Sequence, residues 1–140
     1  MNIYNLHSNP ETLAGFDQRA EVPEILEELV YTKQEPAIEQ KIMQDPYWAY
    51  RYARDVLEER WPEAEPVIMK DPKSAYLYAR SFFKGVGWPE AEKYIIKDPW
   101  SAFEYAKDVL EERWPAAEKD IMKDARWWNR YTQEFPDAER

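Results

Sequence analysis

A proline that returns at a nearly constant spacing constrains the fold of this 140-residue chain more than any other feature. The prolines stand 26, 27 and 26 residues apart, at Pro36, Pro62, Pro89 and Pro115. An aspartate returns with the same spacing, at Asp45, Asp71, Asp98 and Asp124. A period between about 20 and 50 residues is typical of stacked repeat arrays. The sequence therefore predicts four repeats, at residues 36–61, 62–88, 89–114 and 115–140.

Each repeat carries the signals of two helices joined by a tight corner. Pro62 stands at a helix start, where the missing N–H group costs nothing. Asp71 can end this helix and cap the next one, because its carboxylate accepts from the free N–H groups of the following turn. Pro72 keeps Asp71 away from helical backbone angles. We predict a first helix from 62 to about 70 and second helices at 46–60, 72–84 and 99–113, with Gly85 ending the middle one in a left-handed conformation.

Apolar residues recur at helical spacing on both helices of each repeat. The second helices combine alanines with large side chains, as in Ala75, Tyr78 and Ala79. The first helices carry apolar pairs, namely Ile42-Met43, Ile68-Met69, Ile95-Ile96 and Ile121-Met122. Two short helices cannot bury both stripes alone, so stacking on the next pair must cover the rest. We therefore predict an all-α fold, a short α-solenoid of four stacked helical hairpins in one folded domain.

The two ends of the chain depart from the repeat pattern. Residues 1–35 are predicted to form an N-terminal helical cap from a degenerate repeat, with an apolar helix at 23–33. In the fourth repeat Ala125 replaces the proline after the aspartate, and Phe135-Pro136 ends the second helix. Terminal repeats of an array need a polar outer face, so residues 115–140 are predicted to be a C-terminal cap.

Composition and charge exclude several classes of function. The chain has no cysteine and only 3 glycines, which excludes disulfides and disfavours glycine-rich phosphate loops. The net charge is −9, and residues 1–35 contribute 7 acidic and 2 basic side chains. The nearly balanced repeats offer no continuous basic track, so direct nucleic-acid binding is not expected. No apolar run reaches the roughly 20 residues of a membrane span, and we see no signal-peptide pattern, so a cytoplasmic protein without membrane contact is expected.

The repeat unit resembles a known kind of sequence. Its elements are Arg-Trp-Pro-Glu-Ala-Glu, Ile-Met-Lys-Asp-Pro and Ala-Tyr-x-Tyr-Ala-x-Asp-Val-Leu, which recur in register over about residues 36–135. This pattern resembles a short tandem helical repeat found in proteins of phages and large DNA viruses. That family brings no established activity to this chain. The resemblance implies a viral origin, and with it the host cytoplasm as the compartment.

Two rows of residues invite a functional interpretation beside a structural one. The glutamates at Glu39, Glu65, Glu92 and Glu118 lie on or beside the buried stripe of the first helices. They could form a carboxylate ladder for a cation or a peptide. Alternatively each accepts hydrogen bonds from a neighbouring repeat, from Tyr52, Tyr78 and Tyr105 or from Arg54, Arg80 and Lys107, and the need of a half-buried charge for a partner favours this alternative.

Metal binding is not expected, because His7 is the only histidine and the glutamates stand one repeat apart. The tryptophans that precede three of the prolines, Trp61, Trp88 and Trp114, could line an aromatic groove. We favour a buried joint in which each indole packs against the next first helix.

A set of aromatic and variable positions on the second helices is the predicted protein-binding surface. These residues lie off the inward stripe or near the helix start: Tyr47, Trp48, Tyr50, Arg51, Tyr76, Leu77, Trp100, Phe103, Trp127 and Arg130. Aromatic residues and arginine are enriched where proteins bind proteins. The alternative is that these side chains only pack between repeats.

The sequence supports no catalytic site, because it has no cysteine, no phosphate loop and no metal-ligand spacing. We therefore expect a non-catalytic protein that needs no cofactor and binds a protein partner, which in a viral setting would be a host or defence protein. Two other classes stay open: an acidic decoy that mimics nucleic acid, and a structural protein that assembles with itself through its repeat edges. Either a monomer or a homodimer is compatible with these expectations.

Overall fold

The computed structural model of the chain describes residues 36–139, and this part is helical, without a strand. The all-α class is therefore confirmed. The predicted N-terminal cap at residues 1–35 and its helix at 23–33 lie outside the described residues. The four first helices are α1 (Pro36–Ile42), α3 (a 3₁₀ turn at Pro62–Ala64 continued by Glu65–Ile68), α5 (Pro89–Ile95) and α7 (Pro115–Ile121). The four second helices are α2 (Pro46–Tyr52), α4 (Pro72–Phe82), α6 (Pro99–Tyr105) and α8 (Ala125–Glu134).

An aspartate caps every second helix, as the sequence predicts. The backbone of each aspartate is extended, and its carboxylate accepts from N–H groups of the first turn. Asp71, for example, accepts from the Ser74 N–H at 3.0 Å and from the Ser74 hydroxyl at 2.6 Å. The same two bonds join Asp98 to Ser101. Such a cap stabilises a helix by about 1 kcal/mol, so the corners are specified by local signals.

The second helices end earlier than predicted, and two of them end in an unusual way. The helices α2 and α6 continue as π-helical turns at Ala53–Leu57 and Ala106–Leu110. These turns stop at Glu58 and Glu111, which have left-handed backbone angles with φ of 56° and 60°. The helix α4 has no such turn and is capped by Phe83, while Gly85 has a φ of 80°. Gly85 is thus left-handed as predicted, but it lies beyond the helix end.

The core is built from small and large side chains in alternation. Six alanines of the second helices are fully buried, at Ala49, Ala53, Ala75, Ala79, Ala102 and Ala106. The isoleucines Ile42, Ile68, Ile95 and Ile121 of the first helices are buried as well. The helices α2, α4, α6 and α8 contact one another in sequence order, and α4 also contacts α5 of the following pair. Small residues allow this close approach, so the predicted apolar stripes do form the core.

The fourth repeat closes the described part of the chain. Its second helix ends at Glu134, and Phe135 leads into a 3₁₀ turn at Pro136–Glu139. Trp128 stacks on Tyr131 with an interplanar angle of 14° and is half-buried. None of the helices between residues 36 and 139 combines the length and the apolar character that a membrane crossing needs.

Candidate functional site

A tyrosine hydroxyl joins the two helices of every repeat. It donates to the carboxylate 13 residues earlier, in the pairs Tyr52–Glu39 (2.5 Å), Tyr78–Glu65 (2.6 Å), Tyr105–Glu92 (2.7 Å) and Tyr131–Glu118 (2.7 Å). In three repeats the same hydroxyl accepts from the backbone N–H of a tryptophan, in the pairs Trp61–Tyr78, Trp88–Tyr105 and Trp114–Tyr131, at 2.7–2.8 Å. We call this arrangement of tryptophan N–H, tyrosine hydroxyl and glutamate carboxylate the clasp.

The clasp decides between the two interpretations of the glutamate row. Each of the four carboxylates accepts a tyrosine hydrogen bond, so the prediction of tyrosine partners is confirmed. The partner belongs to the same repeat, however, not to a neighbouring one. The reason is the tight Asp-Pro corner, which returns the second helix directly alongside the first. Among residues 36–139, no group of three histidine or carboxylate side chains could hold a metal ion.

Two of the three clasps are completed by an arginine. Arg60 donates from Nε and Nη2 to the two oxygens of Glu65, both at 2.9 Å. Arg113 makes the same two bonds to Glu118 at the same distances. The prediction of Arg54, Arg80 and Lys107 as partners of the glutamates was wrong, because these cations lie instead beside aromatic rings four residues earlier, those of Tyr50, Tyr76 and Phe103.

The clasp raises the pKa of its tyrosines and lowers the pKa of Glu118. Burial raises the pKa of Tyr131 to about 12, and the Glu118 carboxylate adds to the rise while the Trp114 N–H opposes it. Burial likewise raises the pKa of Tyr78 and of Tyr105. The Arg113 guanidinium lowers the pKa of Glu118 below its usual range, with a further contribution from Tyr131 and against the effect of burial. In the clasp of Tyr131 and Glu118 the hydroxyl therefore stays a donor and the carboxylate stays charged at neutral pH.

The three tryptophans beside the clasp are buried, as a joint requires. Trp61, Trp88 and Trp114 are 3–7% exposed. Their rings lie 4.8–5.0 Å from those of Tyr52, Tyr78 and Tyr105, on the preceding second helix. The prediction that these tryptophans are buried is confirmed. The aromatic ring that each indole contacts is that of a tyrosine on the preceding second helix, which the prediction did not include. An aromatic groove of exposed indoles is therefore not formed by these residues.

The residues predicted as a protein-binding surface divide into two groups. Trp48, Tyr50, Arg51, Tyr76 and Phe103 are at most 5% exposed, so in this structure they pack inside the protein. They are covered because rings of adjacent second helices meet, as in Tyr76 against Trp100 at 5.5 Å and Phe103 against Trp127 at 6.3 Å. Tyr47, Leu77, Trp100 and Trp127 are half-buried and Arg130 is exposed. Only this second group can meet a partner directly.

A polar network covers the face where α4 meets α6. The Tyr76 hydroxyl donates to Asp108 at 2.5 Å and accepts from Arg80 at 3.2 Å, while Lys107 pairs with Glu104 and Asp108. Burial raises the pKa of Asp108, but the bonds from Tyr76 and Lys107 outweigh it and leave the pKa lowered. Burial raises the pKa of Glu104, and the charge of Asp108 adds to that rise against the effect of Lys107. These side chains pair with one another through hydrogen bonds and ion pairs, so the face offers few unpaired polar groups to a ligand.

A shallow groove next to this network collects two residues of the predicted surface. It has a volume of about 370 Å³ and lies between α6 with its π-helical turn and α8. Its lining consists of Phe103, Glu104, Lys107, Arg130, Gln133 and Glu134. Phe103 is 3% exposed, so the accessible wall is mostly polar.

Two further grooves lie on the opposite set of helices and have equivalent linings. Groove A, of about 450 Å³, lies between α1 and the start of α3, and groove B, of about 360 Å³, lies between α3 and the start of α5. Their shared positions are Glu39/Glu65, Gln40/Pro66, Met43/Met69, Leu57/Phe83, Glu59/Val86, Arg60/Gly87, Trp61/Trp88, Pro62/Pro89 and Glu63/Glu90. The members of each pair are 26 or 27 residues apart, so the same cleft occurs twice along the chain.

The two grooves combine an apolar floor with acidic edges. Met43, Met69 and Phe83 are half-buried, and Val86 at the edge of groove B is 79% exposed. The edges carry three exposed carboxylates, those of Glu59, Glu63 and Glu90. Within residues 36–139 none of these three forms an ion pair, in contrast to Glu65 and Glu118. A groove of this kind fits an apolar side chain flanked by positive charge.

Sequence patterns alone did not single out these grooves, although one signal was available. Successive residues of a helix lie about 100° apart around its axis, so an Ile-Met pair cannot point both side chains into the same core. Ile68 is fully buried, Met69 is half-buried, and Met122 is 52% exposed. The second member of each pair therefore marks the outer edge of the first-helix stripe, where the grooves lie.

Comparison of the chain with models of protein families, with curated proteins and with solved structures finds no match. The resemblance to viral tandem repeats therefore stays a prediction. The contacts of grooves A and B are the basis on which a function can be inferred.

Proposed function

We propose that this chain is a non-catalytic protein-interaction module, a short α-solenoid of four stacked hairpins whose grooves A and B bind an extended segment of a partner protein. The segment would present apolar side chains to the groove floors and lysine or arginine to the edges. The observation that carries the proposal is the repetition of one cleft with equivalent linings in two successive repeats. Repeat arrays commonly use such periodic surfaces to bind extended ligands.

Continuity between the two grooves supports one ligand across both. Arg60 and Pro62 line groove A and groove B alike. Arg60 also lies over the ring of Phe83 at 4.7 Å, which fixes the ridge between the two clefts. Two modest anchors joined in one ligand bind more tightly than either anchor alone.

The charge of the edges sets the chemistry of the partner. Glu59 and Glu63 lie at groove A and Glu90 lies at groove B, all exposed. An acidic edge attracts basic residues and repels acidic ones, which contributes to specificity more than to affinity. An apolar anchor should supply most of the affinity, because burial of a methionine-sized side chain contributes about 1.5–3 kcal/mol.

A selection of random linear peptides on the intact chain tests the proposal. We expect enriched peptides to contain an aliphatic or aromatic residue with lysine or arginine nearby. Binding should weaken at least about tenfold in Met43→Gln and in Met69→Gln, since tenfold corresponds to about 1.4 kcal/mol. Met122→Gln is the matched control, because Met122 occupies the equivalent helix position outside grooves A and B.

Three outcomes would contradict the proposal. The first is a selection that enriches no peptide over an unrelated helical bait. The second is a set of enriched peptides whose binding does not respond to Met43→Gln or Met69→Gln. The third is loss of nearly all binding between low and moderate salt, which would favour an acidic decoy over an apolar anchor.

Light scattering in the same samples should give the monomer mass of 16.9 kDa, and a concentration-dependent mass would favour self-assembly.

A further inference from the structure

One of the clasps lacks the arginine that completes two others. The residue before the tryptophan is an arginine at the ends of the first and third repeats, where Arg60 and Arg113 each form a two-bond contact with the clasp glutamate of the following repeat. In both cases Oε2 accepts from arginine Nε and from tyrosine, while Oε1 accepts from Nη2. This arrangement uses both oxygens of Glu65 and of Glu118. It is a guanidinium site that the chain fills by itself.

The second repeat ends with a glycine at the arginine position. Gly87 precedes Trp88, and Glu92 stands where Glu65 and Glu118 stand in the other repeats. Glu92 Oε2 accepts from Tyr105 at 2.7 Å, as expected for a clasp. Its Oε1 has no hydrogen-bond partner within the described part of the chain, and the residue is half-buried. A half-buried carboxylate with one free oxygen gains from a cationic partner.

The chain itself cannot place a side chain at this position. Gly87 has a φ of 90°, which strains any other residue. A Cβ atom there would lie 3.2 Å from Leu110 Cδ2 and 3.4 Å from the Tyr105 hydroxyl. Because position 87 is a glycine, the carboxylate of Glu92 has no arginine partner from its own chain at this position. Gly87 lines groove B, and a Cβ atom on it would lie 3.8 Å from Glu92 Oε2, so the carboxylate of Glu92 lies beside this groove.

We infer that Glu92 is a receptor for an arginine side chain of the bound partner, which supplies from outside the guanidinium that Arg60 and Arg113 supply from within. The inference rests on the proposed function, because it assigns one basic residue of the partner segment to one position. Arginine is preferred over lysine, since its planar guanidinium can donate two parallel bonds to a carboxylate. The neighbouring clasps are closed to such a ligand, because their arginines already occupy both oxygens.

A small probe tests the receptor without any partner protein. Nuclear magnetic resonance titration of the intact chain with N-acetyl-arginine amide should shift the Trp88 and Tyr105 signals in a saturable way. N-acetyl-citrulline amide, which has the same shape without the charge, should give no saturable shift, and N-acetyl-lysine amide should bind more weakly. Glu92→Gln should weaken arginine binding at least about tenfold, while Glu112→Gln, which removes an exposed carboxylate that lines neither groove A nor groove B, should leave it within about twofold. The glutamine still offers an oxygen to Tyr105, so the clasp is retained.

The results separate this inference from the proposed function. Equal shifts with arginine and lysine, or equal arginine binding by Glu92→Gln and the unchanged chain, would overturn the receptor. The groove proposal would survive if selected peptides still depended on Met43 and Met69. Conversely, an arginine probe that binds at Glu92 in a chain that enriches no peptides would leave the receptor standing and remove the groove proposal. In peptides that do bind, replacing one arginine by citrulline should weaken binding by the same factor as Glu92→Gln.

Discussion

Removal of one tyrosine hydroxyl tests whether the clasp holds the hairpins together. In Tyr78→Phe the ring and its packing stay, but two hydrogen bonds are lost. The Trp61 N–H loses its acceptor inside the protein, and an unsatisfied buried donor costs about 1–3 kcal/mol. The bond to the charged Glu65 contributes a further amount of about 1.5–3 kcal/mol. Arg60 still donates two hydrogen bonds to Glu65 in this variant, so loss of the tyrosine bond costs less than its full value. We therefore expect the free energy of unfolding to fall by about 3 kcal/mol in total.

Urea unfolding followed by tryptophan fluorescence measures this loss. At an m-value of about 1.5 kcal/mol per molar, the midpoint should fall by about 2 M. The melting temperature should fall by roughly 10 °C, given a few degrees per kcal/mol for a domain of this size. Tyr94→Phe is the matched control, since Tyr94 is half-buried and its hydroxyl forms no hydrogen bond with residues 36–139. It should change stability by less than about 0.5 kcal/mol. Equal midpoints for the two variants would refute the clasp as a source of stability.

Three further predictions concern the helix ends and the carboxylates. Glu58→Gly should stabilise the protein by about 1 kcal/mol in urea unfolding, because Glu58 has a left-handed backbone that glycine adopts without strain, while Glu59→Gly should give no gain. Asp71→Ala should lower stability by about 1 kcal/mol through loss of the cap on α4, and an unchanged melting temperature would place the corner elsewhere. Because the folded pKa of Glu118 lies below its ordinary value near 4.5, its contribution to stability is complete above that value and is lost as the pH falls through the folded pKa. Glu118→Gln should therefore flatten the fall of the urea midpoint between pH 5 and pH 3.

The helix starts and the corners between helices could be predicted from the sequence because their signals are local. Asp71 and Pro72 act on the backbone of their own turn, so the corner needs no knowledge of distant residues. The predicted tyrosine partners of the glutamates were correct for a related reason, since 13 residues separate Glu65 from Tyr78 across one corner. The π-helical turns before Glu58 and Glu111 occur in the two copies that share the sequence Asp-Val-Leu-Glu-Glu-Arg-Trp, and the helix-end rules used for the prediction do not include this sequence.

Exposure was harder to predict than helical structure. Tyr50 and Tyr76 stand off the inward stripe of their own helices, which suggested a free surface. Both are 1% exposed, because a helix inside a stack is covered on more than one side. The apolar pattern of a single helix indicates only the side that carries its apolar stripe, so it does not show that neighbouring helices cover a second side. The grooves escaped prediction for the complementary reason, since their walls come from residues of successive repeats, such as Met69 and Val86 against Glu90.

The short reach of the clasp has a consequence for how the chain folds. In the three clasps the tyrosine hydroxyl bonds to groups only 13 and 17 residues earlier in the sequence. Loops of this length close in well under a microsecond, and proteins with mostly local contacts fold within microseconds to milliseconds. Because the partners of each clasp tyrosine precede it in the sequence, a clasp has all its hydrogen-bond partners once its second helix has been synthesised. The growing chain can therefore fold hairpin by hairpin as it leaves the ribosome, each new hairpin packing on one that is already closed.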